Sequence, residues 1–290
     1  LGGQKFLNEN IIFSPDGWAG GAYVAAEYSL GDWLLQPSVR WDFQDYDEKG
    51  HAQQGSPRLG IAYDATEDLR VWLSVGRFYQ PEGLHELQVV DGVTVFSRAQ
   101  STDQAVWGID WLHGKADLRA EVWHKRYRNP KPRFENLFNP FVLLPELEPD
   151  RVRLDPSAAR SSGVDVVLGY QLTEELRGQV QYGYMDARDK LNGKWVSRRW
   201  SQRHSVRGQL SWEYGRWTAA VAAGWHSGWR TSLIPSNLDQ GTVLPIENTL
   251  NNFELRDYFS LDVGVSRSWQ FRDMLVTVNV DVLNATERKN

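Results

Sequence analysis

Period-two alternation, repeated in strand after strand, is the feature that most narrows what this chain can become. In SVRGQLSWEY, Val206, Gly208, Leu210, Trp212 and Tyr214 fall on one face, while Ser205, Arg207, Gln209, Ser211 and Glu213 fall on the other. Successive side chains of a strand point to opposite sides, so each such segment builds a wall with one apolar and one charged face. A wall that is apolar outside and charged inside describes a membrane barrel better than a soluble sandwich.

Reading the whole chain for this period gives about twelve strands, near 18–29, 33–46, 56–64, 69–79, 101–113, 116–128, 160–171, 175–187, 203–214, 216–229, 257–269 and 273–284. Most reach the ~9 to 11 residues that cross a bilayer when tilted. Their connections alternate in length. Short ones lie at 30–32, 64–68, 114–115, 173–174, 215 and 270–272; long ones occupy 47–55, 80–100, 129–159, 188–202 and 230–256. A soluble sandwich has no reason to gather every short turn at one end, whereas an outer-membrane barrel has short periplasmic turns and long extracellular loops.

Composition limits the alternatives. The chain has 290 residues, no cysteine, 14 tryptophans and a formal charge of −5. Without cysteine there is no disulfide framework and no thiolate metal site. No stretch approaches the ~18 consecutive apolar residues of a transmembrane helix, so a membrane reading requires strands. The N-terminal LGGQKFLNENIIF lacks a basic region followed by an apolar run, so either the chain is soluble or the protein begins upstream. Mild acidity and the lack of a basic cluster with interleaved aromatics argue against a nucleic-acid partner.

The faces and the rings agree with a membrane setting. Outward candidates are Leu69, Val71, Leu73 and Val75; Leu118, Ala120 and Val122; Val164, Val166 and Leu168; and Val276, Val278, Val280 and Val282. Arg70, Arg119, Glu121, Lys125, Asp165, Thr277, Asn279 and Asp281 are expected inside, because charge in the lipid midplane costs about 2 to 4 kcal/mol. Tyr28, Trp33, Tyr63, Trp111, Tyr170, Tyr214, Trp217, Trp269 and Phe271 flank the short turns as an interfacial girdle. Trp18, Phe43, Tyr184, Trp225 and Phe259 would form the opposite one.

Several segments resemble TonB-dependent outer-membrane receptors. The most specific is PRLGIAYDATEDLRVWLSVGRFYQPEGLHEL, from Pro57 to Leu87, which is similar to that family's strand, turn, strand and Pro-then-Leu loop entry. ARSSGVDVVLGYQLTEELRGQVQYGYMDAR resembles a family hairpin with Gly163, Val164 and Asp165 at its start. YFSLDVGVSRSW followed by LVTVNVDVLNATERKN resembles the late strands, with Leu283, Asn284, Ala285 and Thr286 at the family's Asn-Leu-Phe-Asp ending. The matches run from about Pro57 to Asn290, and their order is more specific than any one of them.

The resemblance implies a barrel of about 22 strands closed by a plug and energised by TonB through an N-terminal box. On that expectation residues 1–290 are the C-terminal portion of the barrel, an antiparallel all-β transmembrane wall of about 12 strands, with plug, TonB box and final strand absent from the chain. The expected partners are outer-membrane lipid, TonB through elements outside the chain, and a small ligand such as a metal chelate. The expected location is the outer membrane of a Gram-negative bacterium.

No catalytic motif is present. The six histidines include no i, i+4 pair with Glu, and neither a GxSxG nor a phosphate-cradling loop occurs. Asp45, Asp47 and Gly50 resemble the start of a calcium loop, but Lys49 and Ser56 stand where oxygen ligands are needed, and the segment reads as a solvated loop. Nothing calls for a resident metal or cofactor.

Recognition remains. An anionic chelate exchanges its water for cations and flat rings, which points to Tyr79, His85 and Arg98 in one loop, and to Arg126, Tyr127, Arg128, Arg133 and Phe134 in the next. Trp195, Arg198, Arg199 and Trp200 follow, then Trp229 and Arg230. Each alone reads equally well as a girdle ring or a loop ion pair; the clustering is what points to a ligand. The leading expectation is active uptake of a ferric siderophore or other metal chelate. A passive diffusion channel, an outer-membrane barrel enzyme and a soluble β protein are the alternatives.

Overall fold

The computed structural model describes residues 16–46, 50–83, 86–87, 95–136, 139, 142, 144–148, 151–199, 201–233 and 246–288. Twelve long strands form one antiparallel sheet in chain order: β1 (Gly17–Ala25), β3 (Trp33–Tyr46), β4 (Gly50–Thr66), β5 (Leu69–Gln80), β6 (Gln100–His113), β7 (Ala116–Arg128), β10 (Ala158–Gln171), β11 (Leu176–Leu191), β13 (His204–Tyr214), β14 (Trp217–His226), β17 (Tyr258–Phe271) and β18 (Met274–Val282). Two short strands extend this sheet, β2 (Tyr28–Leu30) against β3 and β12 (Lys194–Ser197) against β11. Every neighbour in the sheet is a neighbour in sequence, so the wall is an up-and-down meander. Its outermost strands are β1 and β18, and the sheet does not close on itself.

The turns at one end are as short as the sequence requires. Gly31, Gly114 and Gly215 take φ near +59°, and Arg272 takes φ 51°, which gives the left-handed step of a two-residue hairpin. At the other end, the long connections carry small elements. The segment after β7 holds the hairpin β8 (Arg133–Glu135) with β9 (Val152–Leu154). The one after β14 holds β15 (Arg230–Thr231), α1 (Ile246–Thr249) and β16 (Phe253–Glu254).

Three boundaries differ from the sequence reading, each for a backbone reason. The first expected strand breaks at Ala26 and Glu27, opposite Pro37: Ala26 N–H donates to the Pro37 carbonyl at 3.0 Å, but the proline has no N–H to complete the rung. The strand expected at 56–64 starts at Gly50, paired with Tyr46, so most of the 47–55 loop is wall. The strand expected to end at 187 runs to Leu191. There Asn192 (φ 48°) and Gly193 (φ 82°) turn it into β12, so the 188–202 segment opens with a hairpin.

Register divides the side chains into two faces. On one, Leu73, Trp107, Val122, Val164 and Tyr184 stand opposite one another in successive strands. Val122, Leu168, Val180 and Val278 on this face are 46–51 % exposed. All the rings assigned to both girdles lie on it, with Trp33 and Tyr63 in contact at 4.6 Å. The opposite face pairs its charges. Trp72 Nε1 donates to Asp110 (3.0 Å), Trp123 Nε1 to Asp165 (2.7 Å) and Arg119 Nε to Glu121 (2.6 Å).

Buried aliphatic residues lie mainly at the loop end, where Leu154, Leu191, Val196 and Leu250 form a small cluster with Val152 packed against it. A soluble β protein would instead cover its widest apolar surface with a second layer. The exposed apolar face suits the lipid-facing side of a transmembrane barrel wall.

Candidate functional site

The loop end folds over the polar face, and this is where cations gather. Asp189, carried past the expected strand end by the Asn192–Gly193 turn, is fully buried. It accepts from Arg198 Nε at 2.9 Å and pairs with Arg133. Arg133 also reaches Glu135, two residues along β8, with Nη2 to Oε1 at 3.0 Å. Arg199 donates from Nη2 to the Val142 carbonyl at 3.2 Å.

Three guanidinium groups thus face two carboxylates, an excess of one positive charge in a partly desolvated place. Burial pulls Arg133, Arg198 and Arg199 below the ordinary arginine range, and it pushes the Glu135 carboxyl up despite Arg133 beside it. Rings frame the cations: Tyr127 lies 5.2 Å from the Arg198 guanidinium and Phe134 5.3 Å from that of Arg151.

A cavity of about 310 Å³ opens beside this cluster, lined by Gln100, Lys131, Arg133, Phe134, Arg198 and Arg199 among others. Lys131 is held at its edge by Glu86 Oε2 at 2.5 Å. A second cavity, of about 410 Å³, contains Tyr79 and Arg98 with Gln44, Gln54 and Glu82. Gln44 Nε2 donates to the Glu82 carbonyl (3.0 Å), and the Glu82 carboxylate accepts from Ser97 N–H (2.7 Å) and Oγ (2.8 Å). Gln54 Oε1 is buried without a hydrogen-bond partner among the described residues.

The residues expected from sequence therefore divide. Tyr127, Arg133, Phe134, Arg198 and Arg199 come together; Tyr79 and Arg98 share the other cavity. Arg126, Arg128 and Trp195 belong by register to the apolar side of the wall, beyond its apolar band. Trp229, stacked on His226 at 5.3 Å, and Arg230, paired with Glu254 at 2.8 Å, stand in a third loop. His85 and Trp200 lie outside the described residues, as do Asp47 and Lys49 of the calcium-like segment.

A search for cations and rings missed the acids that orient them. Asp189 had a signal, since an Asn-Gly pair three residues on marks a hairpin and keeps the strand alternating. Glu135 had none. No group of three or more His, Cys, Asp or Glu side chains that could hold a metal ion occurs among the described residues.

Comparison with known proteins places this architecture. Residues 6–285 match the family model described as TonB dependent receptor-like, beta-barrel. The metal-pseudopaline receptor CntO of Pseudomonas aeruginosa is 23 % identical over 150 residues, 50 % of this chain and 18 % of that protein. The FrpB iron transporter of Neisseria meningitidis (F5-1 variant) superposes with a TM-score of 0.67 at 14 % identity, over 93 % of this chain and 41 % of its own. The copper transporter OprC gives 0.67 at 12 % identity, over 93 % and 42 %. The chain thus spans about two fifths of the solved structures it resembles. The ordered strands, the two-faced wall and the match across nearly its whole length show that this chain belongs to the TonB-dependent receptor β-barrel family.

Proposed function

We propose that this chain is the C-terminal part of an outer-membrane barrel whose loops capture an anionic metal chelate for TonB-driven uptake. The observation that carries the reading is the cluster of Arg133, Arg198 and Arg199 around Asp189 and Glu135, open to a cavity lined by Phe134. Guanidinium forks match the paired oxygens of carboxylates and of catecholate or hydroxamate groups, and rings stack on flat ligands. Asp189 and Glu135 keep the arginines extended and separated, so the excess charge is presented before ligand arrives.

The proposed sequence of events needs no bond to break. Ligand lands on the basic loops and exchanges its hydration for arginine donors. It then passes to the lumen, whose polar wall is already internally paired and offers water-like surroundings. The plug and TonB box that would couple this to the proton gradient are proposed to lie outside the chain. Support for that division comes from the open sheet and from solved relatives more than twice as long. The printed substrates of those relatives, metal-pseudopaline, iron and copper, favour a metal chelate and leave the metal open.

Growth of a strain with and without the gene, in media stripped separately of iron, copper or zinc, tests this reading. Loss of growth under one limitation, restored by the wild-type gene and not by an Arg133→Ala, Arg198→Ala copy, is the expected result. Full growth of the deletion strain under every limitation would remove the proposal and favour a passive channel.

A further inference from the structure

The cavity of about 410 Å³ at the loop end of β3, β4 and β5 is built on a different principle from the arginine cluster. Gln44 and Gln54 enter it from the polar face of the wall, while Glu82, Phe96 and Arg98 enter from the chain that follows β5. Glu82 is only 9 % exposed, and no cation pairs with it among the described residues. Its carboxylate is held by Ser97 alone, whose N–H (2.7 Å) and hydroxyl (2.8 Å) both reach Oε2. Lys131 comes as near as the Pro81 carbonyl (3.3 Å) but is committed to Glu86.

Gln54 adds a second open acceptor. It is 5 % exposed, and its Oε1 has no partner. A buried carboxylate without a counter-charge and a buried oxygen without a donor are both costly, and one group relieves both: an ammonium, which has three donors and no acceptor. Arg98 supplies the opposite requirement. It lines the same cavity, yet it makes no hydrogen bond or ion pair among the described residues, so its guanidinium fork stays open to a carboxylate. Phe96, in ring contact with Tyr46 at 5.1 Å, and Tyr79 give the cavity a flat apolar side.

We propose that this cavity binds a free α-amino acid as its zwitterion. The ammonium lies between Glu82 and Gln54 Oε1, the carboxylate rests on Arg98, and the side chain packs on Phe96 and Tyr79. The volume suits such a ligand, since small-molecule sites begin at roughly 300 Å³. Glu82 repels a simple anion and Arg98 a simple cation, so the site selects for both charges on one molecule. It shares no residue with the Arg133, Arg198 and Arg199 cluster and does not depend on what that cluster binds.

The test titrates the intact protein in neutral detergent, by calorimetry at pH 7, with three probes. L-phenylalanine carries both charges, N-acetyl-L-phenylalanine lacks the ammonium, and L-phenylalaninamide lacks the carboxylate. The first is expected to bind at least tenfold more tightly than either of the others. Glu82→Gln should erase the preference over the acetylated probe, and Arg98→Gln the preference over the amide. Gln54→Leu, which removes the open acceptor, should weaken L-phenylalanine several-fold without raising hydrogen exchange across 95–99. No binding of L-phenylalanine, or equal binding of all three probes to the wild-type protein, would overturn the proposal and needs no variant to fold. Tightest binding of the acetylated probe would also overturn it, because the cavity would then serve an anion.

Discussion

The two ends of this wall are built by opposite means. At the short-turn end, charges pair within one hairpin or between neighbouring ones and stay in water: Asp64 with Arg70 at 2.6 Å, and Asp117 on β7 with Arg177 on β11. At the loop end, Asp189 on β11 is fully buried between Arg133, 56 positions earlier, and Arg198, which a tight turn returns to it. Exposed pairs contribute little and tolerate loss, whereas a buried carboxylate between two guanidiniums cannot lose its charge without stranding both. The difference teaches where specificity resides. The turn end maintains the strand order, and the loop end holds an arrangement whose energy depends on every member.

The comparison can be broken most forcefully at Asp189. Asp189→Ala should destabilise the loop assembly by about 3 to 5 kcal/mol, seen as hydrogen exchange and proteolytic cutting across 133–154 and 194–199. Asp64→Asn should leave both measurements unchanged. Equal effects of the two would show that the ends do not differ.

A slightly smaller effect separates the two faces. Val278→Arg puts a charge in lipid and should cost about 2 to 4 kcal/mol in assembly, while Thr277→Arg, one residue away on the polar face, should be tolerated. Matching membrane yields would mean that the strand phase is inverted.

Next comes the turn that extends β11. Gly193→Val forces a branched side chain to φ 82° and should loosen β12 by at least about 1 kcal/mol, releasing Trp195 and Arg198 without altering the strands below. Tryptophan fluorescence of the loop end would report it.

The smallest effect is a pH dependence. Glu135 is held above its ordinary 4.5, so the folded loop takes up this proton before the unfolded one does. Stability linked to Glu135 therefore rises as pH falls from neutrality towards 4.5, and is lost as pH rises through the raised value. Protonation also lifts the excess charge of the cluster from one to two, so an anionic chelate should bind more tightly at mildly acidic pH. Glu135→Gln should flatten both trends.

The wall was legible because each of its strands repeats one local rule. Alternation in Val276 to Val282 or Leu69 to Val75 fixes the face, and Gly114 or Gly215 fixes the turn, with no information from elsewhere in the chain. The site was legible only as an inventory of cations and rings. Arg126 and Arg133 are seven residues apart and look alike in sequence, yet one stands on the outward face of β7 and the other turns inward in β8. That separation depends on the parity of a strand and on where the chain leaves it. The choice of Asp189 as partner depends on a contact across 56 positions, which no local pattern encodes. Pro37 is the intermediate case: its missing N–H is evident in the sequence, but which strand loses a rung depends on the register.

The central claim is that the loop-end arginines select an anionic chelate, and a binding titration of the intact protein tests it most directly. Ferric complexes of matched size, some anionic and some neutral, would be titrated against the wild-type protein and the Arg133→Ala, Arg198→Ala variant. Preferential binding of at least one anionic complex, weakened tenfold or more in the variant, is the predicted result. Indifference of the wild-type protein to ligand charge, or an unchanged affinity in the variant, would contradict the account.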